Sequence, residues 1–204
     1  MNRQTIWFLP IILLVLAGCS AAEAVPPAEA QTRLSKAWAA PRRAIWQIDW
    51  PAAPVGGPVT AMVWQYGPHL RVEMLEAPAP ALVGQTLIVN RGTTWQFNRF
   101  DTPPAPVSGL PSLPPVTDAF AVVDRLVSAR PVSATRQTAA TLQYNPAEKI
   151  ETRYPNGDRL TFWLDPQTGL PVHLIVYAGD RRLELKAVQT APLDSLPLDL
   201  FSPP

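Results

Sequence analysis

The side chains that could do chemistry are few: one thiol, Cys19, two imidazoles, His69 and His173, and a scatter of carboxylates. No His-x-x-x-His, no cysteine pair and no carboxylate group at ligand spacing occurs, so neither a metal site nor another cofactor is expected. Asp49, Asp165 and Asp194 read as strand-edge or turn residues, and no Gly-x-Ser-x-Gly nucleophile elbow is present. The residues point away from an enzyme. The thiol is the informative group. Cys19 closes Leu16-Ala17-Gly18-Cys19 at the end of an almost unbroken apolar run, Ile6 to Ala17, which follows a single basic residue, Arg3. A basic start, about a dozen apolar residues and small residues before the break form a secretory signal peptide. The run is short for a bilayer span, which takes roughly 20 residues.

Leu16-Ala17-Gly18-Cys19 resembles the lipobox of bacterial lipoproteins, in which the cysteine is diacylated and becomes the new N-terminus after cleavage. The resemblance implies a protein cut before Cys19 and held on the membrane by lipid, outside the cytoplasm. Two or more acyl chains anchor stably where one does not. Ser20 follows the cysteine, a residue that in two-membrane bacteria resembles proteins sent to the outer membrane. With Cys19 lipidated, no disulfide can form within the chain, and stability must come from an ordinary core.

The elements that carry these groups read as mostly β. Residues 1–18 are the signal peptide, 19–31 an Ala-, Pro- and Glu-rich tether, and 32–204 a single domain, expected to be a monomer. Without Arg3 the basic and acidic side chains balance at 16 each, so no nucleic-acid partner is indicated. The 25 prolines argue for strands and turns over long helices. One or two helical turns are expected over Thr32–Ala40, with Leu34 and Trp38 on one side. Strands follow at Ala44–Trp50, Val59–Tyr66, His69–Glu76, Gln85–Asn90 and Thr93–Phe97. Pro103–Pro115, with six prolines, reads as a long loop or flap. Thr117 and Asp118 are placed to cap a helix to Ala129, its apolar side Phe120, Val123, Leu126 and Val127. Ser133–Ala147 is less regular, with one strand near Leu142 and Tyr144. Four strands then form a meander: Lys149–Tyr154, Asp158–Leu164, Leu170–Tyr177 and Arg181–Val188. Its turns are Pro155-Asn156-Gly157, Asp165 to Gly169 and Ala178-Gly179-Asp180. Its inward face is Leu160/Phe162/Leu164, Val172/Leu174/Val176 and Leu183/Leu185/Ala187, and His173 falls on the polar face. The tail Leu193–Phe201 is expected to pack back on the sheet.

A large apolar sheet face with one clear helix to cover it is short of packing partners, and a pocket can make up the difference. The aromatic stripe Trp46, Trp64, Trp95 and Trp163 reads first as core and second as ligand wall. The cavity candidates are Trp46, Ile48, Trp64, Leu70, Val72, Met74, Leu87, Val89, Trp95, Phe162 and Leu174. They would take a hydrophobic small molecule or lipid. Arg71 and Arg153 read as solvated charges of the outer face, with an anionic headgroup as the alternative partner.

The order of parts resembles the LolA/LolB-like superfamily of bacterial envelope proteins, which includes lipoprotein carriers and receptors and the sigma-factor regulator RseB. The carrying residues are Pro68-His69-Leu70-Arg71-Val72-Glu73, Asn90 to Phe97 with Gly92, Trp95 and Phe97, the run Trp163-Leu164-Asp165-Pro166-Gln167-Thr168-Gly169-Leu170-Pro171-Val172, and a terminal Leu200-Phe201 followed by Pro203. The resemblance implies a mainly β (α+β) fold: a curved, half-open antiparallel sheet with one or two helices over an apolar cavity for acyl chains. It also implies the alternative of a non-catalytic envelope sensor with a protein partner. Two departures stand out. The carrier of that family is soluble, and the receptor's exposed apolar loop has only Leu110–Leu113 as a counterpart.

Overall fold

The computed structural model describes residues 21–51, 56–99, 105–106, 113–114, 116–143, 145–196 and 198–202. Cys19 and residues 110–112 lie outside this set, as does most of the proline-rich segment. Within it, twelve strands make one antiparallel sheet. They are β1 (Glu23–Val25), β2 (Arg42–Asp49), β3 (Val59–Tyr66), β4 (His69–Glu76), β5 (Gln85–Asn90), β6 (Thr93–Asn98), β7 (Ala105–Pro106), β8 (Ser133–Leu142), β9 (Asn145–Arg153), β10 (Arg159–Leu164), β11 (Pro171–Ala178) and β12 (Arg181–Pro192). The spatial order is β1-β8-β9-β10-β11-β12-β2-β3-β4-β5-β6-β7, so two consecutive meanders are joined where β12 pairs with β2. The sheet stays open between β1 and β7. Two helices, α1 (Pro27–Ala39) and α2 (Val116–Ser128), pack together on its inner face.

The core follows from strand alternation. Ala44, Trp46 and Ile48 of β2 lie across from Val63, Ala61 and Val59 of β3, and those pair onward with Val72 and Met74 of β4. Cross-strand partners share a face, so this register puts one apolar row under the helices. The second meander supplies Leu160, Phe162, Leu174, Val176, Leu183 and Leu185 to the same core. α2 buries Val116, Ala119, Phe120, Val123, Leu126 and Val127, the expected stripe extended by one turn. A bulge between Trp163 and Leu164 sets Leu164 across from Pro171, which leaves Val172 half-buried rather than inward.

Several local expectations change. α1 begins at Pro27, not Thr32, with proline in the first turn where its missing N–H costs nothing. Its buried residues are Ala30, Leu34, Ala37 and Trp38, a helical stripe half made of alanine. Glu23–Val25, expected within the tether, pairs with β8. Arg136 of β8 bridges Glu23 and Glu29 of the first helical turn at 2.7 and 3.1 Å. The irregular stretch from Ser133 is a full hairpin of β8 and β9. α2 starts one residue before Thr117, so Thr117 and Asp118 lie inside it, and the Thr117 hydroxyl has no partner. In the β9–β10 turn, the Gly157 N–H donates to the Tyr154 carbonyl at 3.0 Å, and Gly157 alone takes positive φ, +88°. Pro155-Asn156 is therefore the centre of a type I-like turn, with glycine in the left-handed position after it.

The C-terminal tail does pack on the sheet. Phe201, in a short 3₁₀ turn over Leu198–Phe201, is buried, and its carbonyl accepts from Asn90 Nδ2 at 2.8 Å. Arg71 Nη1 donates to the Leu200 carbonyl at 3.1 Å, with its guanidinium 5.5 Å from the Trp64 ring centroid. Arg71 is thus a clasp for the tail on the outer face.

Candidate functional site

Trp38, at the last turn of α1, is the hub beneath the helices. Its ring meets Phe120 edge-on at 5.0 Å and lies 6.5 Å from Trp46 and 6.4 Å from Phe162. Its indole N–H donates to Asp124 of α2, which ties the two helices together. Below it is Arg42, the first residue of β2, whose guanidinium carbon sits 4.5 Å from the Trp38 ring centroid. Arg42 is fully buried. Its Nη1 donates to the carbonyls of Trp38 and of Ala40, the latter at 3.2 Å, while Nε and Nη2 have no partner. Burial lowers its pKa from 12.5 to about 9, against a smaller opposing pull from Asp124. Gln65 is the cross-strand partner of Arg42, and its Nε2 reaches the same Trp38 carbonyl at 3.4 Å.

Between this cluster, the N-terminal half of α2 and the β3–β4 turn lies a groove of about 440 Å³. Its apolar wall is Trp38, Pro68, Leu70, Val89, Phe120 and Ala121; its polar side is Gln65, Thr117, Asp118 and Asp124. The volume falls near the low end of the roughly 300–1,000 Å³ of small-molecule sites, room for one chain rather than several. His69 also borders the groove, although its ring turns toward Phe201, 5.6 Å away on the other side of the sheet.

The eleven residues expected to line a cavity divide three ways. Leu70 and Val89 line the groove. Trp46, Ile48, Val72, Met74, Leu87, Phe162 and Leu174 are each no more than 1% exposed and belong to the packed core beneath α1 and α2. Trp64 and Trp95 lie on the outer face, where their cross-strand partners are Arg71 and Ile88. Trp163 is outer as well, stacked on His173 at 4.6 Å with Lys149 Nζ 5.6 Å from its ring centroid. The stripe of tryptophans is therefore not one surface. Reading along the chain missed Trp38, Gln65, Thr117 and Phe120 as groove residues. The signal was the spacing of Leu34 and Trp38 on α1, which places Trp38 on the apolar side.

Two of the groups that could do chemistry, Asp165 and His173, are held in structural roles. Asp165 Oδ1 accepts from the backbone N–H groups of Gln167 and Thr168, both at 2.8 Å, and so shapes its turn. His173 is buried on the outer face with Nε2 2.6 Å from Glu184 Oε1. Burial lowers its pKa, and Glu184 opposes that shift. Among the described residues, no group of three or more His, Cys, Asp or Glu is arranged to hold a metal ion, and no helix is long and apolar enough to cross a membrane.

No family model matches the sequence, and no curated protein does either. Solved structures share the fold. An uncharacterized conserved protein from Thermus thermophilus superposes with a TM-score of 0.53 at 15% identity, over 87% of this chain and 93% of that one. MucB, which has also been solved in a Pseudomonas aeruginosa MucA/MucB complex, gives 0.56 at 15% identity. That match covers 86% of this chain but 62% of MucB, so the chain spans about three-fifths of that protein. The LolA superfamily protein NE2245 from Nitrosomonas europaea matches over 85% of this chain and 97% of its own at 14% identity, with a lower TM-score of 0.39. The open sheet with helices on one face is the fold shared with the Thermus thermophilus protein and MucB, and it is the architecture that the sequence resemblance implied.

Proposed function

We propose that this is a non-catalytic, lipid-anchored extracytoplasmic protein, a monomer, that holds one acyl chain or similar apolar ligand in the groove between α2 and the β3–β4 turn. The groove carries the reading: it is a concave site with a largely apolar wall at the margin of the packed core. The signal peptide and the Leu-Ala-Gly-Cys19 junction support export and anchoring through Cys19. To test it, residues 20–204 are made without the anchor, purified from cells without detergent and extracted for lipid mass spectrometry, then titrated with a fluorescent fatty acid. A stoichiometric lipid, or saturable uptake that Ala121→Trp abolishes by filling the groove, is the expected result. No lipid and no uptake would overturn the proposal.

A second reading has its own support. Seven of the eleven expected cavity residues are packed solid, and the fold is shared with MucB, a protein solved in complex with MucA. In that reading the sheet is a docking platform for an envelope protein partner. A partner that co-purifies equally well with the Ala121→Trp protein would favour it.

A further inference from the structure

The polar side of the groove is specified by what its atoms lack. Gln65 Oε1 and Thr117 Oγ1, on two groove-lining residues, are buried without a hydrogen-bond partner. Nε and Nη2 of Arg42, cross-strand from Gln65, are in the same condition. Buried polar groups are satisfied in all but a few cases, so such a cluster beside a groove calls for a complement. Gln65 Oε1 can only accept, because its amide nitrogen already faces the Trp38 carbonyl. Arg42 can only donate. The Thr117 hydroxyl does either. A ligand head that answers the two groove-lining atoms, Gln65 Oε1 and Thr117 Oγ1, must bring a donor to the first and an acceptor or donor to the second.

Charge narrows the choice. Among the described residues the groove is lined by two carboxylates, Asp118 and Asp124, and by no lysine or arginine; Arg42 stands beside it, cross-strand from Gln65, and Asp124 offsets part of its charge. An anionic head would meet net negative charge and bring no donor for Gln65. We propose that the groove selects a single-chain amphiphile whose head is uncharged and carries a carbonyl with hydroxyl groups, of the monoacylglycerol type, over the fatty-acid anion of the same chain. This rests on the groove being a chain-binding site and adds its head-group preference.

The test uses residues 20–204, which contain every element described and the whole core, and follows intrinsic tryptophan fluorescence, to which Trp38 contributes from the groove wall, during titration with 1-monomyristoylglycerol and with myristate. At pH 8 the acid is ionised, its reference value being that of a carboxyl near 4.3. The expected result is a preference of about ten-fold for the monoacylglycerol, the scale of one well-made hydrogen bond. Gln65→Leu and Thr117→Val should reduce that preference to about three-fold or less while chain binding persists, and Asp118→Asn should tighten myristate. Equal binding of the two, or tighter binding of myristate, overturns the head-group assignment alone. Failure of both to bind overturns the chain-binding reading with it.

Discussion

Arg42 gives the sharpest test of how the space under the helices is held. Two substitutions separate its charge from its volume. Arg42→Met keeps a long unbranched stem and removes the guanidinium. The loss is two charge-assisted bonds to backbone carbonyls, at about 1.5–3 kcal/mol each, and a cation–π contact of up to about 2 kcal/mol. The Trp38 carbonyl keeps the Gln65 amide as a donor. The gain is relief of a cation with two unmet nitrogens, at about 1–3 kcal/mol each, whose pKa is pushed to about 9 from 12.5. At 1.36 kcal/mol per unit, that shift is a burial penalty on the order of 5 kcal/mol. These terms nearly cancel, in line with the finding that buried ions can be exchanged for apolar groups of similar size at little cost. Arg42→Ala loses the same bonds and also the stem, leaving a cavity of the kind that costs about 2–5 kcal/mol. The expected outcome of urea unfolding at pH 7 is Arg42→Met within about 2 kcal/mol of wild type and Arg42→Ala about 3 kcal/mol below Arg42→Met. Equal losses from both would refute the argument, because the hydrogen bonds and not the filled volume would then be what Arg42 supplies.

Phe162→Ala should lower unfolding stability by about 3–5 kcal/mol, while Val188→Ser, at 65% exposure, should stay within about 0.5 kcal/mol; urea midpoints check both. Gly169 holds a φ of +68° with only ordinary contact to Arg33 at 3.6 Å, so Gly169→Ala should cost about 1–2 kcal/mol from backbone strain alone, and Gly169→Asn less. His173 is a base whose folded pKa lies below its unfolded value of about 6.5. The unfolded chain therefore binds the proton more readily, and stability should fall as pH drops through about 6.5. His173→Phe, which preserves the stack on Trp163 beside Glu184, should flatten that dependence between pH 7 and pH 5; an unchanged slope would contradict it.

Much of the fold was legible because burial on one face imprints a period on the sequence. α2, β10 and β11 have clear apolar stripes and their limits fell within a residue, whereas β9 begins four residues earlier and β12 ends four residues later than expected. β8 escaped because only Ala134 and Ala140 of its ten residues are buried, so a strand held by backbone pairing near the sheet edge leaves no alternation. α1 was cut short for a similar reason: Ala30 and Ala37 are core residues too small to register as a stripe. The site was harder. Alternation says that Trp64 opposes Val63, but which of the two faces the helices depends on register with β2, and the larger side chain suggested the wrong answer. Trp38, Gln65 and Thr117 converge from three separate elements, an arrangement that no local pattern encodes.

The place where β12 meets β2 has a consequence for how the domain is made. The two meanders are built from neighbours in sequence and can pair as soon as each is available. Their junction joins Trp46 to Ala187 and Arg42 to Pro192, and β1 must wait for β8. Closing such long loops costs chain entropy before any contact repays it, which slows folding. A chain delivered N-terminus first would therefore leave the edge of β2 unpaired until its last strand arrived. The interval before β12 docks is when this protein would most need a holding chaperone.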